Sequence, residues 1–200
     1  MINKKDLINT LNNTCKPFFT ESTFYLHPSN TNRFTISGDN NSKAINNYDN
    51  FREQINVIKW FDFFWIYIDI KFQDINTLIS LSVFQGKTDD NVKHQLFRAE
   101  WDDYNDHDAK HPQPHWHVTA NQAIEKTFEE IANYDGSDNF LSLLTEEKSK
   151  IIDVNKIHFA MIGNWINDGM DIHPITDETK IVKWFHGLLS HLRVQLEYVQ

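Results

Sequence analysis

A histidine-rich segment is the part of this sequence best suited to chemistry. Three histidines fall within His111-Pro-Gln-Pro-His-Trp-His117, and His107 precedes them. Imidazole transfers protons near neutral pH, and neutral imidazole binds transition metals. The segment therefore predicts acid–base catalysis or a metal site, and a hydrogen-bonded structural hairpin is the third interpretation.

The metal interpretation follows from strand geometry. Two prolines exclude a helix across the segment, and alternation of apolar and polar residues at 115–118 predicts a strand. Side chains two residues apart on a strand point to the same face, so one ion can lie between both histidines. Loop histidines or acidic residues of a neighbouring strand would complete three ligands and leave a position open for water. The predicted ligands for a divalent ion, zinc or manganese, are His111, His115, His117 and Asp102, with His107 and Glu100 as alternatives.

The acid–base interpretation needs no metal. Arg98, Glu100 and Asp102 alternate with apolar residues, so a hairpin would place them on the same face as His115 and His117. A histidine or Glu100 would act as the base and the other histidine as the acid. Arg98 would hold a phosphodiester and stabilise its developing charge. The predicted catalytic residues are therefore His115, His117, Arg98 and Glu100. This prediction depends on the register, because a slip of one residue reverses the face of every side chain.

A short pattern resembles half of the signature of the two-histidine phosphoesterases. His117-Val-Thr119 has the His-x-Ser/Thr form, and the one other example is His27-Pro-Ser29. The central proline and the polar residues that follow it depart from that family's pattern. The chain is therefore not assigned to the family, and a pairing of His27 with His117 stays a question for the structure.

Four stretches alternate with the period of a β-strand: 66–72, 79–83, 97–101 and 116–118. Their short connections predict an antiparallel meander, with 66–72 half-buried. The polar positions of the first two stretches would extend the face that carries the histidines. They are Tyr67, Asp69, Lys71, Ser80 and Ser82.

The two ends of the chain differ from this middle part. Apolar spacing from Leu7 to Cys15 predicts a short helix that ends near Pro17, and two short strands, 23–26 and 33–37, would flank a turn at Pro28. The Asn- and Ser-rich stretch 38–50 is typical of a loop. Helices are predicted around 123–131 and 140–144. A long amphipathic C-terminal helix capped by Asp177 would place its apolar stripe on the sheet.

These elements predict an α+β fold. We expect an antiparallel meander sheet of about four to six strands, with helices packed on one face. The 200 residues would form a single globular domain. Within it, 1–50 holds the N-terminal helix and loop, 51–120 the sheet, and 121–200 the helical part.

Composition limits the function. The net charge of -9 disfavours a broad nucleic-acid footprint and tolerates a small or single-stranded nucleic acid or a nucleotide. Cys15 is the single cysteine, so neither an internal disulfide nor a cysteine zinc cage can form. The N-terminal residues lack the pattern of a signal peptide, and no apolar run is long enough for a membrane span. We predict a cytoplasmic protein without a membrane partner.

The favoured prediction is a small bacterial hydrolase or nuclease. It would act on a phosphodiester through the His115/His117 face, as a toxin or phage-defence component. The alternative is a non-catalytic subunit of a larger bacterial complex. In that case the histidine hairpin would be structural or would bind a partner. The C-terminal helix or the aromatic stretch 60–65 would then supply the protein contact.

Overall fold

The structure is a computed structural model that describes residues 2–48, 51–73, 76–102, 113–118, 175 and 177–200. These residues form one eight-stranded sheet, antiparallel in every strand pairing, and two α-helices. The α+β prediction is confirmed, although the sheet has more strands than the four to six expected. The helices predicted around 123–131 and 140–144 lie outside the described residues.

Helix α1 spans Lys4–Cys15 and confirms the predicted N-terminal helix. Asn3 caps it, because its side chain accepts hydrogen bonds from the backbone N–H groups of Lys5 and Asp6. A short 3-10 helix, Lys16–Phe18, follows and contains the predicted proline stop. The residues that α1 buries are spaced along one face: Leu7, Ile8, Leu11 and Cys15.

Strands β1, Tyr25–Asn30, and β2, Arg33–Ser37, form the first hairpin. The turn predicted at Pro28 is wrong, since β1 continues through Pro28 and the chain reverses at residues 31–32. Proline is tolerated there because β1 ends the strand path of the sheet, where not every N–H joins the ladder. The side chain of Asn12 covers part of this edge. Its Oδ1 lies 2.6 Å from the Leu26 N, and its Nδ2 lies 3.2 Å from the Leu26 O.

The predicted loop 38–50 is also wrong, because Asn41–Tyr48 forms strand β3. It pairs along its whole length with β4, Phe51–Phe61, whose last residues pair with β5, Phe64–Gln73. Beyond that pairing the β3–β4 hairpin branches from the rest of the sheet and reaches the start of β7, His94–Asp102. The Lys93 N–H donates to the Lys43 carbonyl at 3.0 Å, and Ala44 bridges Lys93.

The predicted meander is confirmed as four consecutive antiparallel strands. They are β5 Phe64–Gln73, β6 Asn76–Gln85, β7 His94–Asp102 and β8 His115–Val118. The N-terminal end of β5 pairs with β4, and its C-terminal part pairs with β2 on the same edge. The sheet thus begins at β1, well before residue 51.

The apolar face of the meander forms the main core with the helices. Helix α2, Glu178–Tyr198, is capped as predicted by Asp177, whose side chain accepts a hydrogen bond from the Thr179 N–H. Trp184 of α2 packs against Trp101 of β7, with ring centroids 5.8 Å apart. The predicted apolar stripe is buried at Ile181, Trp184, Phe185, Leu188, Leu189, Leu192 and Leu196.

The opposite, polar face is also covered, which corrects the half-buried prediction for β5. Tyr67 and Asp69 are both buried, as are the polar residues beside them on β6 and β7. The β3–β4 hairpin provides the cover, since the Ser82 hydroxyl donates to Asn46 Oδ1 at 3.3 Å. The polar residues expected on a solvent-exposed sheet therefore lie between two layers of strand.

Candidate metal centre

Two rows of polar side chains cross the meander and end at the histidines. The register pairs Arg98 with His117 and Glu100 with His115, and so places all four on one face, as the alternation pattern predicted. Directly paired residues on one face of a sheet lie close enough for their side chains to meet. One row contains Tyr67, Ser82, Arg98 and His117, and the other contains Asp69, Ser80, Glu100 and His115.

Arg98 and Glu100 form a buried ion pair through two contacts. Arg98 Nε lies 3.0 Å from Glu100 Oε1, and Arg98 Nη2 donates to Glu100 Oε2 at 3.1 Å. The two residues are 2% and 5% exposed. A charged pair this far from water needs such two-point geometry to offset its desolvation.

The two imidazoles converge on one oxygen of that carboxylate. His117 Nε2 lies 2.8 Å and His115 Nε2 3.6 Å from Glu100 Oε2, and the two nitrogens are 2.6 Å apart. The side chains of His115 and His117 are 14% and 36% exposed. The three residues therefore stand at a boundary, with the carboxylate inside and the imidazoles toward solvent.

These three atoms could serve as ligands of one metal ion. A carboxylate oxygen carries lone pairs, as does a ring nitrogen that bears no proton, and lone pairs that face one another repel unless a proton or a cation lies between them. Zinc bonds to nitrogen and oxygen are ~2.0–2.2 Å long, so tetrahedral ligand atoms are separated by ~3.3–3.6 Å. The separation of 3.6 Å matches this range, whereas those of 2.6 and 2.8 Å are hydrogen-bond distances. Glu100, His115 and His117 could hold a metal ion once the closer atoms move apart by roughly 0.5–1 Å.

Arg98 faces Glu100 rather than the solvent. Besides its contacts to Glu100, its Nη1 donates to the Asn47 carbonyl at 2.5 Å. A guanidinium that is 2% exposed and held from both sides is poorly placed to hold a substrate phosphate. The geometry favours an action of Arg98 on Glu100 over the clamp role predicted from the sequence.

The other predicted ligands are placed differently. Asp102 lies on β7 beyond Glu100, and its N–H donates to Gln113 Oε1 at 2.9 Å. Within the described part of the chain it is not a member of the ligand group, in which Glu100 supplies the carboxylate. The contact instead ties the end of β7 to the residues that precede β8. His107 and His111 lie outside the described residues.

The two His-x-Ser/Thr patterns are far apart in the sheet. His27 lies on β1 and His117 on β8, at opposite ends of the six-strand path. The His27 ring contacts its own neighbouring strand, with Nδ1 3.0 Å from the Thr35 carbonyl oxygen. His27 is absent from the ligand group formed by the described residues, and Thr119 is not among those residues.

Sequence reasoning missed Asn47, the β3 residue whose carbonyl binds Arg98. A backbone carbonyl that accepts a hydrogen bond cannot be recognised from the residue type. Strand β3 also has no apolar alternation that would mark it as a strand. Within its described positions, β3 buries just Ala44 and Asn46. Only the fold reveals this contact.

A second polar cluster lies on the same face, toward β2. Arg33 contacts both oxygens of Asp69 at 3.0 Å, and its Nη2 donates to the Tyr67 hydroxyl at 3.2 Å. Hydrogen bonding to Asp69 raises the pKa of Arg33, and burial raises the pKa of Tyr67 to about 12. Lys71 also contacts Asp69, at 3.4 Å. This cluster holds strands together and contributes no ligand to the group formed by Glu100, His115 and His117.

The surfaces predicted to bind a protein partner are largely buried. The apolar stripe of α2 lies in the core, as do Trp60 and Trp65. Val194 and Tyr198 are the large apolar side chains that the described part of α2 exposes. The partner interaction stays a prediction.

Comparisons with protein-family models, with curated proteins and with solved structures gave no match. Neither described helix contains a stretch long and apolar enough to cross a membrane.

Proposed function

We propose that this protein is a metal-dependent hydrolase of phosphodiesters, with the ion held by Glu100, His115 and His117. The convergence of one carboxylate oxygen and two imidazole nitrogens, within 2.6 to 3.6 Å of one another, carries the proposal. Two imidazoles and one carboxylate are a ligand set used by catalytic zinc, which keeps a further position for water or substrate. Zinc is the favoured ion, since an oxygen-rich set would suit manganese better.

The charge of the site favours an anionic substrate. Arg98 neutralises Glu100 through its two contacts, so a bound divalent ion would keep close to its full charge. Such an ion polarises a phosphoryl oxygen and activates water for attack on phosphorus. Because the whole chain has a net charge of -9, favourable contact with a nucleic acid would be limited to this site. Such a short contact suits a small or single-stranded nucleic acid.

The exposure of the histidines supports access from solvent. His117 is the most exposed member of the group, and Glu100 lies beneath it. A substrate would therefore approach from the imidazole side, at the open face of β8. Catalysis by the imidazoles without a metal remains the alternative chemistry of the same residues, and the experiment below separates the two.

The first test is metal content. Tag-free wild-type protein is compared with His115→Ala/His117→Ala and with His27→Ala, a control that removes a histidine from the opposite end of the sheet. We expect near-stoichiometric zinc in the wild type and in His27→Ala, and loss of zinc in the double variant. Equal, substoichiometric metal in all three proteins would contradict the proposed site.

The second test is hydrolysis of bis(p-nitrophenyl) phosphate and of short single-stranded RNA and DNA. We expect activity that a chelator removes and zinc restores, and that His117→Ala lowers at least 100-fold, in line with the ~10²-fold or larger effects of lost catalytic groups. Activity that survives complete metal removal would instead support acid–base catalysis. Bound metal without hydrolysis of any of these substrates would support the non-catalytic subunit.

A further inference from the structure

In the ion pair between Arg98 and Glu100, the two carboxylate oxygens of Glu100 have different contacts. Oε1 lies 3.0 Å from Arg98 Nε in an ion-pair contact, whereas Oε2 accepts a hydrogen bond from Arg98 Nη2 at 3.1 Å and also faces both imidazoles. Carboxylates bind metals through one oxygen or through two. At this site, binding through both would require Oε1 to turn away from Arg98.

Arg98 itself has little freedom to release that oxygen. It is 2% exposed, and its Nη1 donates to the Asn47 carbonyl on the covering strand β3. On the sheet it stands between Ser82 of β6 and His117 of β8. The guanidinium is therefore fixed from the sheet side and from the hairpin side at once.

We propose that Arg98 is a positioning residue that restricts Glu100 to a single metal-binding oxygen, Oε2. This inference rests on the metal site proposed above and names the residue that keeps coordination positions open there. With one oxygen from Glu100 and one nitrogen from each histidine, the described residues supply three ligand atoms. The remaining positions are then available to an anionic oxygen ligand such as a phosphate.

The sheet also provides a matched control for this role. Arg33, whose side chain is 27% exposed, holds the buried Asp69 on the same face through two hydrogen bonds of 3.0 Å. This pair is not part of the ligand group of the described residues. Arg33→Met therefore measures the loss of a comparable ion pair without an effect on the Glu100 carboxylate.

The experiment uses cobalt(II) in place of zinc, because its visible absorption weakens when its coordination number rises. Wild type, Arg98→Met, Arg98→Lys and Arg33→Met are loaded with cobalt, and inorganic phosphate is then titrated in. In Arg98→Met we expect cobalt affinity within about tenfold of wild type, within or below the usual effect of outer-shell changes. Its absorption should fall, and its phosphate affinity should fall by about tenfold or more, because Glu100 then occupies an extra position. Arg33→Met should match the wild type in all three measurements.

The Arg98→Lys variant keeps the inference testable if Arg98→Met does not fold. Lysine keeps a positive charge at the buried position, but its single ammonium cannot hold both carboxylate oxygens as the guanidinium fork does. We expect the same fall in absorption and in phosphate affinity, with circular dichroism equal to that of the wild type.

Two results with the Arg98 variants, and one with the wild type, would overturn the inference. An unchanged cobalt spectrum in folded Arg98→Lys would show that Glu100 is not restricted by Arg98. If the Arg98 variants bind less cobalt while the cobalt that stays bound has an unchanged spectrum, Arg98 would support the fold without positioning Glu100. Cobalt binding by a wild type that hydrolyses no phosphodiester would contradict the proposed function and leave the role of Arg98 standing. A wild type that binds no cobalt would refute both.

Discussion

At the scale of single residues, the site depends on a buried ion pair, and the removal of either partner alone should destabilise the fold. Glu100 and Arg98 are 5% and 2% exposed and contact each other at 3.0 and 3.1 Å. Removing one partner of such a pair leaves an uncompensated charge away from water, whereas removing both does not. The pair therefore links the metal ligand to the stability of the sheet.

We predict that metal-free Glu100→Gln is less stable than the metal-free wild type by about 3–5 kcal/mol. The double variant Glu100→Gln/Arg98→Met should lose clearly less than the sum of the two single variants. Urea unfolding in the presence of a chelator measures all four proteins of this cycle. Additive losses in the two single variants would show that the two side chains are not energetically coupled.

The sequence predicted the shared face and His115 and His117 as metal ligands, but it gave Asp102 the place that Glu100 takes and gave Arg98 the role of a phosphate clamp. Strand alternation brought Arg98, Glu100, His115 and His117 to one face, because the period of two is a property of the strand itself. The roles of Arg98 and Glu100 depend on distances between side chains and on the Asn47 carbonyl. Those depend on how the β3–β4 hairpin folds over the meander, and no local pattern encodes that packing.

At the scale of the elements, the chain passes from β2 into β3 through a tight crossing at Gly38. A Cβ atom at this position would lie 2.2 Å from the Thr23 carbonyl oxygen. Thr23 and Asp39 also exchange hydrogen bonds of 2.7 and 3.0 Å across the crossing. The β3–β4 hairpin, which covers the polar face, therefore begins at a point where two backbone segments are in contact.

Gly38→Ala should lower the free energy of unfolding by about 1–3 kcal/mol or more, because the backbone of Thr23 must move to admit the methyl group. Gly86→Ala is the control, since its Cβ would meet chiefly the Lys93 side chain, with Cδ at 2.6 Å. A side chain yields more easily than a backbone, so we expect the smaller loss there. Thermal or urea unfolding of both variants measures the difference. An equal or smaller loss in Gly38→Ala would contradict the tight crossing.

The elements that the sequence predicted are those that carry their own pattern. Strands β5 to β8 alternate visibly, and α2 combines the Asp177 cap with an apolar stripe. Strand β3 shows neither signal, because the side chains it buries at its described positions are those of Ala44 and Asn46. Its composition is that of a loop, and its conformation follows from pairing with β4 and from the polar face that it covers.

At the scale of the whole molecule, the meander separates two different interiors. One is the apolar core beneath the helices, and the other is the polar layer between β3–β4 and the meander. The polar layer is stable because its charges are paired, as in the Arg33–Asp69 and Arg98–Glu100 contacts. The proposed metal site lies where this second interior opens to solvent at His115 and His117.

The apolar interior should make the folded protein sensitive to alkaline pH. Cys15 of α1 is buried, and burial raises the pKa of its thiol from the ordinary value of 9.0 to about 12. Between these two values the unfolded chain loses the proton while the folded chain keeps it. Stability is therefore full below pH 9 and falls as the pH rises toward 12.

We expect Cys15 to account for a loss on the order of 2–3 kcal/mol between pH 9 and pH 11, from ~1.4 kcal/mol per pH unit. Cys15→Ala should remove this part of the pH dependence while adding a pH-independent loss from the small cavity. Tyr67, whose pKa rises to about 12 from 10.0, should add a smaller loss that begins one unit higher, and Tyr67→Phe is the control for it. Urea unfolding of the reduced proteins at several pH values measures both slopes. If wild type and Cys15→Ala lose stability in parallel above pH 9, the thiol ionises as readily in the folded protein as in the unfolded chain, and its burial has no energetic consequence in this range.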